Sequence, residues 1–462
     1  MKCLDYSPPD SDDFRRSWRY WANIHGYYGA GTTAGTVPKN IQFLKITPGG
    51  QDYLKYYTGV FDQSPPDRTA KDTWSKCQHG TPNFLGWHRM YLYYFERVLR
   101  WAADDDTLRL PYWDYTNPAQ VALPAEFRDQ ASPLYDPRRD ALMNDGTCTL
   151  NPDSTAVVTN QVLGGNDYTT FEEQIEGSGS VHSTVHCAVG PNCPLNVPDL
   201  SYIPMAANDP IFYLHHANID RLWACWQKLH PDAPLGDWQN GEFTFVDERG
   251  REQKSTVNEF LQPERPDYAY DNVSDCGSKP QGLVASQQFT GNGRMTAATG
   301  MTAVLGTSGE SRDFSPGSPA FIPVPEHILQ QFFAQPPGSA SAELVLRDVR
   351  IETSPGALLN VYIAPECSPS KRRFVGTISW FEPWRTNGSR PKGETIRFDV
   401  SNQLQELKEA GSLSNFEIAV DATSGRVPAH GIESDKCEEK ALMHKRPPKL
   451  SVGSFELSTP PS

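Results

Sequence analysis

Six of the chain's eleven histidines fall into two groups of three, and any fold must gather each group around one point. One group is His25, His79 and His88; the other is His182, His186 and His216. Imidazole ligates copper in both oxidation states, and three such ligands leave one side of a metal open. Two open sites that face each other can clamp dioxygen between them.

The spacing around these histidines is helical. Phe14, Trp18, Trp21 and His25 follow a 4-3-4 rhythm, which predicts one helix from near Asp12 with His25 turned to the core. From Gly26 to Lys76 the chain is rich in Gly, Tyr and Pro and reads as long loops. A second helix is expected from Phe84 to about Ala102, burying Phe84, His88, Leu92, Phe95 and Leu99. Pro82 interrupts the run between His79 and His88, so His79 belongs to the loop before that helix. A loop ligand needs a restraint, and Cys77 can supply one. His182 and His186 are four apart and share one face of a third helix. Asp209 and Pro210 mark the start of a fourth, running to about Lys228. His215 and His216 diverge by about 100° on that helix, so only one can face a given metal. The other is expected to be packed and hydrogen-bonded. Asp220, one turn later, either orients a ligand ring or pairs with Arg221. His230, His327, His430 and His444 are given surface or structural roles. The sum is a four-helix bundle over about 12–230 with metals in its core.

The rest divides by composition. LPYWDYTNP (Leu110 to Pro118) reads as an aromatic turn on the bundle, and 119–165 as polar surface loop. Residues 231–310 look loop-rich and complete a catalytic domain of 1–310. A linker is expected over 311–341, including the strap Phe314 to Pro325. From 342 to 462 short alternating runs (AELVLRDVRIE, ALLNVYIAP, RRFVGTISWF, ETIRFDV, NFEIAVDA) predict a β-sandwich, ending in a charged tail after Gly431. A net charge of −14 argues against nucleic acid or anionic membrane as partner. No apolar run reaches the length of a membrane helix. The start lacks an apolar leader, so a cytoplasmic location is expected, with export by a helper protein left open. Nine scattered cysteines favour mostly free thiols. Asn272-Val-Ser and Asn387-Gly-Ser are read as chance glycosylation matches.

WHRMYLYYFE and DPIFYLHHANIDRLW resemble the two copper motifs of type-3 copper proteins: tyrosinases, catechol oxidases and molluscan haemocyanins. NVYIAP and FVGTISWF resemble the C-terminal domain that shields the active site in full-length polyphenol oxidases. The resemblance implies two copper ions. His79 and His88, with His25, would hold the first; His182, His186 and, of the adjacent pair, His216 would hold the second. The CQH sequence is similar to segments with a cysteine–histidine thioether, which implies a Cys77–His79 crosslink. Glu176 matches a glutamate that holds a water near the second copper, and Ile203 a gate residue above it. Ser183 stands where relatives often carry asparagine, which puts monophenol hydroxylation in question. The implied activity is oxidation of o-diphenols to o-quinones by O2, latent until the C-terminal domain is displaced by a cut near Phe314–Pro325. An o-aminophenol oxidase and a haemocyanin-like oxygen carrier are the alternatives, and homo-oligomerisation stays open. A structural zinc site is disfavoured by the absence of cysteine or carboxylate ligands.

Overall fold

Ser17 divides the first expected helix in two. Its hydroxyl accepts from the Tyr20 amide at 3.1 Å and caps α2 (Trp18–His25) just after α1 (Asp12–Arg15). The expected stripe survives the break, since Phe14, Trp18, Trp21 and His25 are all buried. The computed structural model describes residues 1–27, 65–155, 163, 167–177, 179–190, 200–262, 268–273, 304–308, 312–314, 320–322, 330, 333–334, 342–353, 358–365, 371–379, 393–409, 416–430, 437 and 449–458. Most of the loop expected over 26–76 lies outside these residues, as do His327, Asn387 and His444.

Four longer helices frame the site in the first domain, among shorter ones: α3 (Phe84–Ala103), α4 (Tyr168–Glu176), α5 (Val181–Val189) and α6 (Ile211–Leu229). Aromatic rings fill the space between them. Trp21 and Trp87 each stack on Tyr91, and Phe95 stacks on Tyr213 with ring centres 3.7 Å apart. A buried ion pair ties α3 to α6: Arg89 Nε donates to Asp220 Oδ1 at 2.6 Å, and the guanidinium lies over Trp223. Tyr268 and Tyr270 both donate to the other Asp220 oxygen. This corrects both readings of Asp220, because its two oxygens are committed to Arg89 and the tyrosines. Arg221 pairs with Asp114 instead.

The stretch read as polar surface loop is also corrected. Arg139 is buried and pairs with Asp209 at 2.6 Å, while Asp209 accepts from the Ile211 amide at the start of α6. Polar residues go inside when they arrive in satisfied pairs, which composition does not reveal. Trp113 and Tyr115 of the aromatic turn are buried as expected. A hairpin of β2 (Glu242–Val246) and β3 (Glu252–Thr256) follows, after a short β1 (Cys148–Leu150).

The C-terminal domain is the expected sandwich. Its strands are β4 (Val304–Ser308), β5 (Arg312–Phe314), β6 (Ala320–Ile322), β7 (Glu343–Thr353), β8 (Leu358–Pro365), β9 (Arg373–Ile378), β10 (Glu394–Asp399), β11 (Phe416–Thr423), β13 (Lys449–Val452) and β14 (Ser454–Ser458). A separate strand, β12 (Arg426–Pro428), pairs outside the sandwich. One sheet runs β4-β14-β7-β13-β5 with β10 also on β7; the other runs β6-β11-β8-β9. Leu344, Leu346, Val361, Ile363, Ile418, Phe455 and Leu457 share an apolar core. Strands β4 to β6 come from the stretch read as loop and linker, and β13 and β14 from the supposed tail. Strands this short carry too few residues for alternation to register, and only their partners define them.

The expectation of mostly free thiols fails. Cys148 and Cys437 form a disulfide across 289 residues, and Cys187 and Cys225 are disulfide-bonded as well. Among the described residues, no helix is long and apolar enough to cross a membrane.

Candidate metal centre

The fold gathers the histidines into two adjoining clusters. Ligand atoms of His25, Cys77, His79 and His88 all lie within 4.8 Å of one another, and so do those of His182, His186, His215 and His216. The clusters meet where the rings of His88 and His216 stack, 4.3 Å apart and 12° from parallel.

Three different supports build the first cluster. His25 is the last residue of α2, and His88 sits in the second turn of α3. His79 precedes α3 on a loop, and two contacts restrain that loop. The next residue, Gly80, takes a positive φ of +61°, and its amide donates to Glu176 Oε1 at 2.6 Å. Cys77 Sγ lies 3.0 Å from Nδ1 and 3.9 Å from Nε2 of His79. It therefore lies beside the His79 ring, nearer Nδ1 than Nε2. The same sulfur is 3.4 Å from His88 Nε2.

Helices alone build the second cluster. His182 and His186 project from α5, and His215 and His216 from α6. The Tyr115 hydroxyl is 3.0 Å from His215 Nδ1, and the His215 ring lies parallel to His182 at 5.5 Å. Tyr115 is the residue that motif reading missed. It sits in the aromatic turn Leu110–Pro118, and only its contact shows what it holds.

The donor set fits a soft or borderline cation. His88 Nδ1 donates to the Phe84 carbonyl at 2.8 Å, and His186 Nδ1 to the Leu200 carbonyl at 2.7 Å. Each bond fixes the tautomer and leaves Nε2 as an inward lone pair. His186 Nε2 and His216 Nε2 then lie 3.4 Å apart. Burial pushes His25, His79, His182, His186, His215 and His216 well below the ordinary histidine pKa, with neighbouring imidazoles adding to it. Burial also lowers His88 to about 3, against the hydrogen bond to Phe84 that raises it. The imidazoles are thus neutral, the form a metal requires.

The remaining candidates occupy distinct places. Glu176 ends α4 and is buried. Ser183, in the first turn of α5, hydrogen-bonds with Ser180, the Gly177 carbonyl and Ser379 of the sandwich. Ile203 is half-buried and opens a short helix whose Pro204 backbone would meet a Cβ on Gly26, next to His25, at 2.6 Å.

Comparison with known proteins follows the same division. Residues 15–161 and 126–229 match the family profile "Common central domain of tyrosinase". Polyphenol oxidase A1, chloroplastic, of Vicia faba is 34% identical over 226 residues, covering 42% of this chain and 37% of that protein. The latent form of polyphenol oxidase, chloroplastic, of Prunus armeniaca is 30% identical over 372 residues, covering 70% of this chain and 59% of its own length. The chain thus spans less than two thirds of either relative. The structure of latent apple tyrosinase aligns with 99% of this chain and 92% of its own, at 18% identity and a TM-score of 0.53. Latent aurone synthase aligns with a TM-score of 0.54 at 20% identity, covering 99% of this chain and 85% of its own. Both place the helical domain and the sandwich in one known fold. The chloroplastic relatives overturn the expectation of a cytoplasmic chain. A leader for that organelle is polar and amphipathic, so a missing apolar segment never spoke against it.

Proposed function

We propose, from the premise that this chain belongs to the tyrosinase family of type-3 copper proteins, that it is a latent polyphenol oxidase oxidising o-diphenols to o-quinones with O2. The observation that carries this reading is the pair of facing clusters of neutral imidazoles, buried except for the half-buried His79 and joined at His88 and His216. His25, His79 and His88 would hold one copper ion, and His182, His186 and His216 the other. The pair of ions supplies dioxygen binding and two-electron redox chemistry.

The chain's own residues do the remaining work. The carbonyls of Phe84 and Leu200 keep Nε2 of His88 and His186 pointing inward. His215 packs on His182 and takes the Tyr115 hydroxyl, so it serves as the packed member of the adjacent pair. The Cys77 sulfur beside the His79 ring is placed for a thioether that would lock the loop ligand; its formation breaks the thiol S–H and a ring C–H, and two electrons and two protons pass to O2. After disulfide reduction the thioether leaves the intact mass two hydrogens below the sequence value. Glu176 holds the His79 loop through Gly80 and offers a carboxylate for the proton of an incoming phenol. Ile203, half-buried at the start of its short helix, takes the gate position.

Latency follows from the sandwich. Ser379, just past β9, reaches Ser183 and accepts from the Gly179 amide at the start of α5. A hydroxyl committed to the sandwich does not hold a water for a phenol, so hydroxylation of monophenols requires the sandwich to move. Oxygen uptake and quinone formation by the copper-loaded protein test the reading, with catechol and a monophenol as separate substrates. Catechol turnover that rises when the sandwich is displaced supports it. Reversible oxygen binding without turnover in the displaced state sinks it.

A further inference from the structure

We infer that a reducible clasp fastens the sandwich to the helical domain, so that cutting the chain between the domains does not by itself release the shield. The clasp is the excursion between β11 and β13. Past Thr423 the chain turns at Gly425, whose φ is +70°. A Cβ there would meet Leu358 of the sandwich at 2.3 Å and Ala188 of α5 at 3.3 Å, so the turn is wedged between the two domains. The Gly425 carbonyl accepts from the Asn151 amide at 3.0 Å. Strand β12 then pairs antiparallel with β1, with Leu150 opposite Arg426 and Cys148 opposite Pro428. Arg426 is buried, donates to the Ala188 carbonyl at 3.0 Å and lies 3.6 Å from Asp140. Cys437 closes the clasp on Cys148, and both are buried in the helical domain's own core.

The consequence is topological. Val273 is buried in the helical core, and Val304 opens the first sandwich strand. A cut between them makes two polypeptides that stay joined through Cys148–Cys437. Ser379 then remains against Ser183 and Gly179, and Thr377 against Ser154. Release needs a second event, exchange with a dithiol reductant. The S–S bond breaks, two electrons and two protons pass to Cys148 and Cys437, and the dithiol becomes a disulfide. A tethered shield acts at millimolar effective concentration, so loss of the tether at micromolar protein lowers the ratio of bound to free shield by roughly 10³-fold. This inference rests on the shielding reading given above.

The test uses the copper-loaded full chain with a recognition site for a sequence-specific protease placed between residues 273 and 304. After cutting without reductant, the protein is expected to run as one band on a non-reducing denaturing gel and two on a reducing gel. It should elute as one species from a native column, with catechol oxidation near the uncut level. The Cys437→Ser chain, cut in the same way, should separate into two species and gain activity by up to roughly 10³-fold. If the variant does not fold, reduction of the cut natural chain with a dithiol gives the same separation, read by mass alone. Two bands on the non-reducing gel, or a cut Cys437→Ser chain that still travels as one species, would overturn the clasp. Separation with no gain in activity would keep the clasp and discard the shielding reading.

Discussion

The two histidine clusters reach the same chemistry by different construction. In the second, every ring projects from α5 or α6, so helical spacing sets its direction and the Leu200 carbonyl and Tyr115 hydroxyl only trim it. In the first, His25 ends a helix, His88 sits inside one and His79 is on a loop. That loop is held by a contact from far away in sequence, the Gly80 amide on Glu176, 96 residues later, and by the sulfur of Cys77 two residues before His79. A helix brings its own restraint, whereas a loop ligand borrows one. The first cluster should therefore be the softer of the two.

Acid gives the largest expected effect and strikes both clusters. The seven clustered histidines have folded pKa values below their ordinary value, His88 at about 3. The unfolded chain then binds more protons than the folded one below about pH 6.5. Their contribution is complete above that pH and is lost as pH falls below it, for His88 down to about 3, at about 1.4 kcal/mol per histidine per pH unit. Metal-free protein should unfold on mild acidification, as thermal melts across pH 7 to 4 will show; a flat profile would mean the rings are not held neutral.

Arg89→Leu comes next, since it strips Asp220 of its partner between the helices of both clusters. The cost should be about 3–5 kcal/mol, with metal lost from both sites, as melting and copper content together report. Glu176→Ala separates the clusters. It removes the carboxylate that accepts from the Gly80 amide and should weaken copper at the first site by about 10- to 100-fold while sparing the second. Equal weakening at both sites would erase the distinction between loop and helix. Tyr115→Phe should show the smallest change, about 1 kcal/mol, confined to the second cluster and visible in copper titration.

This difference in construction also decides what could be read from the sequence. His182 and His186, the stripe of α3 and the start of α6 at Asp209–Pro210 were legible because period and capping are local signals. The five sandwich runs were legible for the same reason. Partners that exist only in three dimensions were not. Asp220 pairs with Arg89 across 131 residues, and nothing in its own surroundings favours that partner over Arg221. Cys148 and Cys437 carry no spacing signature, and β14 is recognisable only by its place between β4 and β7. In the sequence Tyr115 reads as one more packed aromatic, and only the contact of its hydroxyl with His215 sets it apart.

Copper content per chain is the decisive measurement, made on the natural protein and on His88→Ala and His186→Ala after loading and exhaustive dialysis. Two ions in the natural protein and about one in each variant are expected, because each variant spoils one three-nitrogen site and leaves the other whole. One ion in the natural protein, or no change in either variant, would contradict a centre built from two separate histidine clusters.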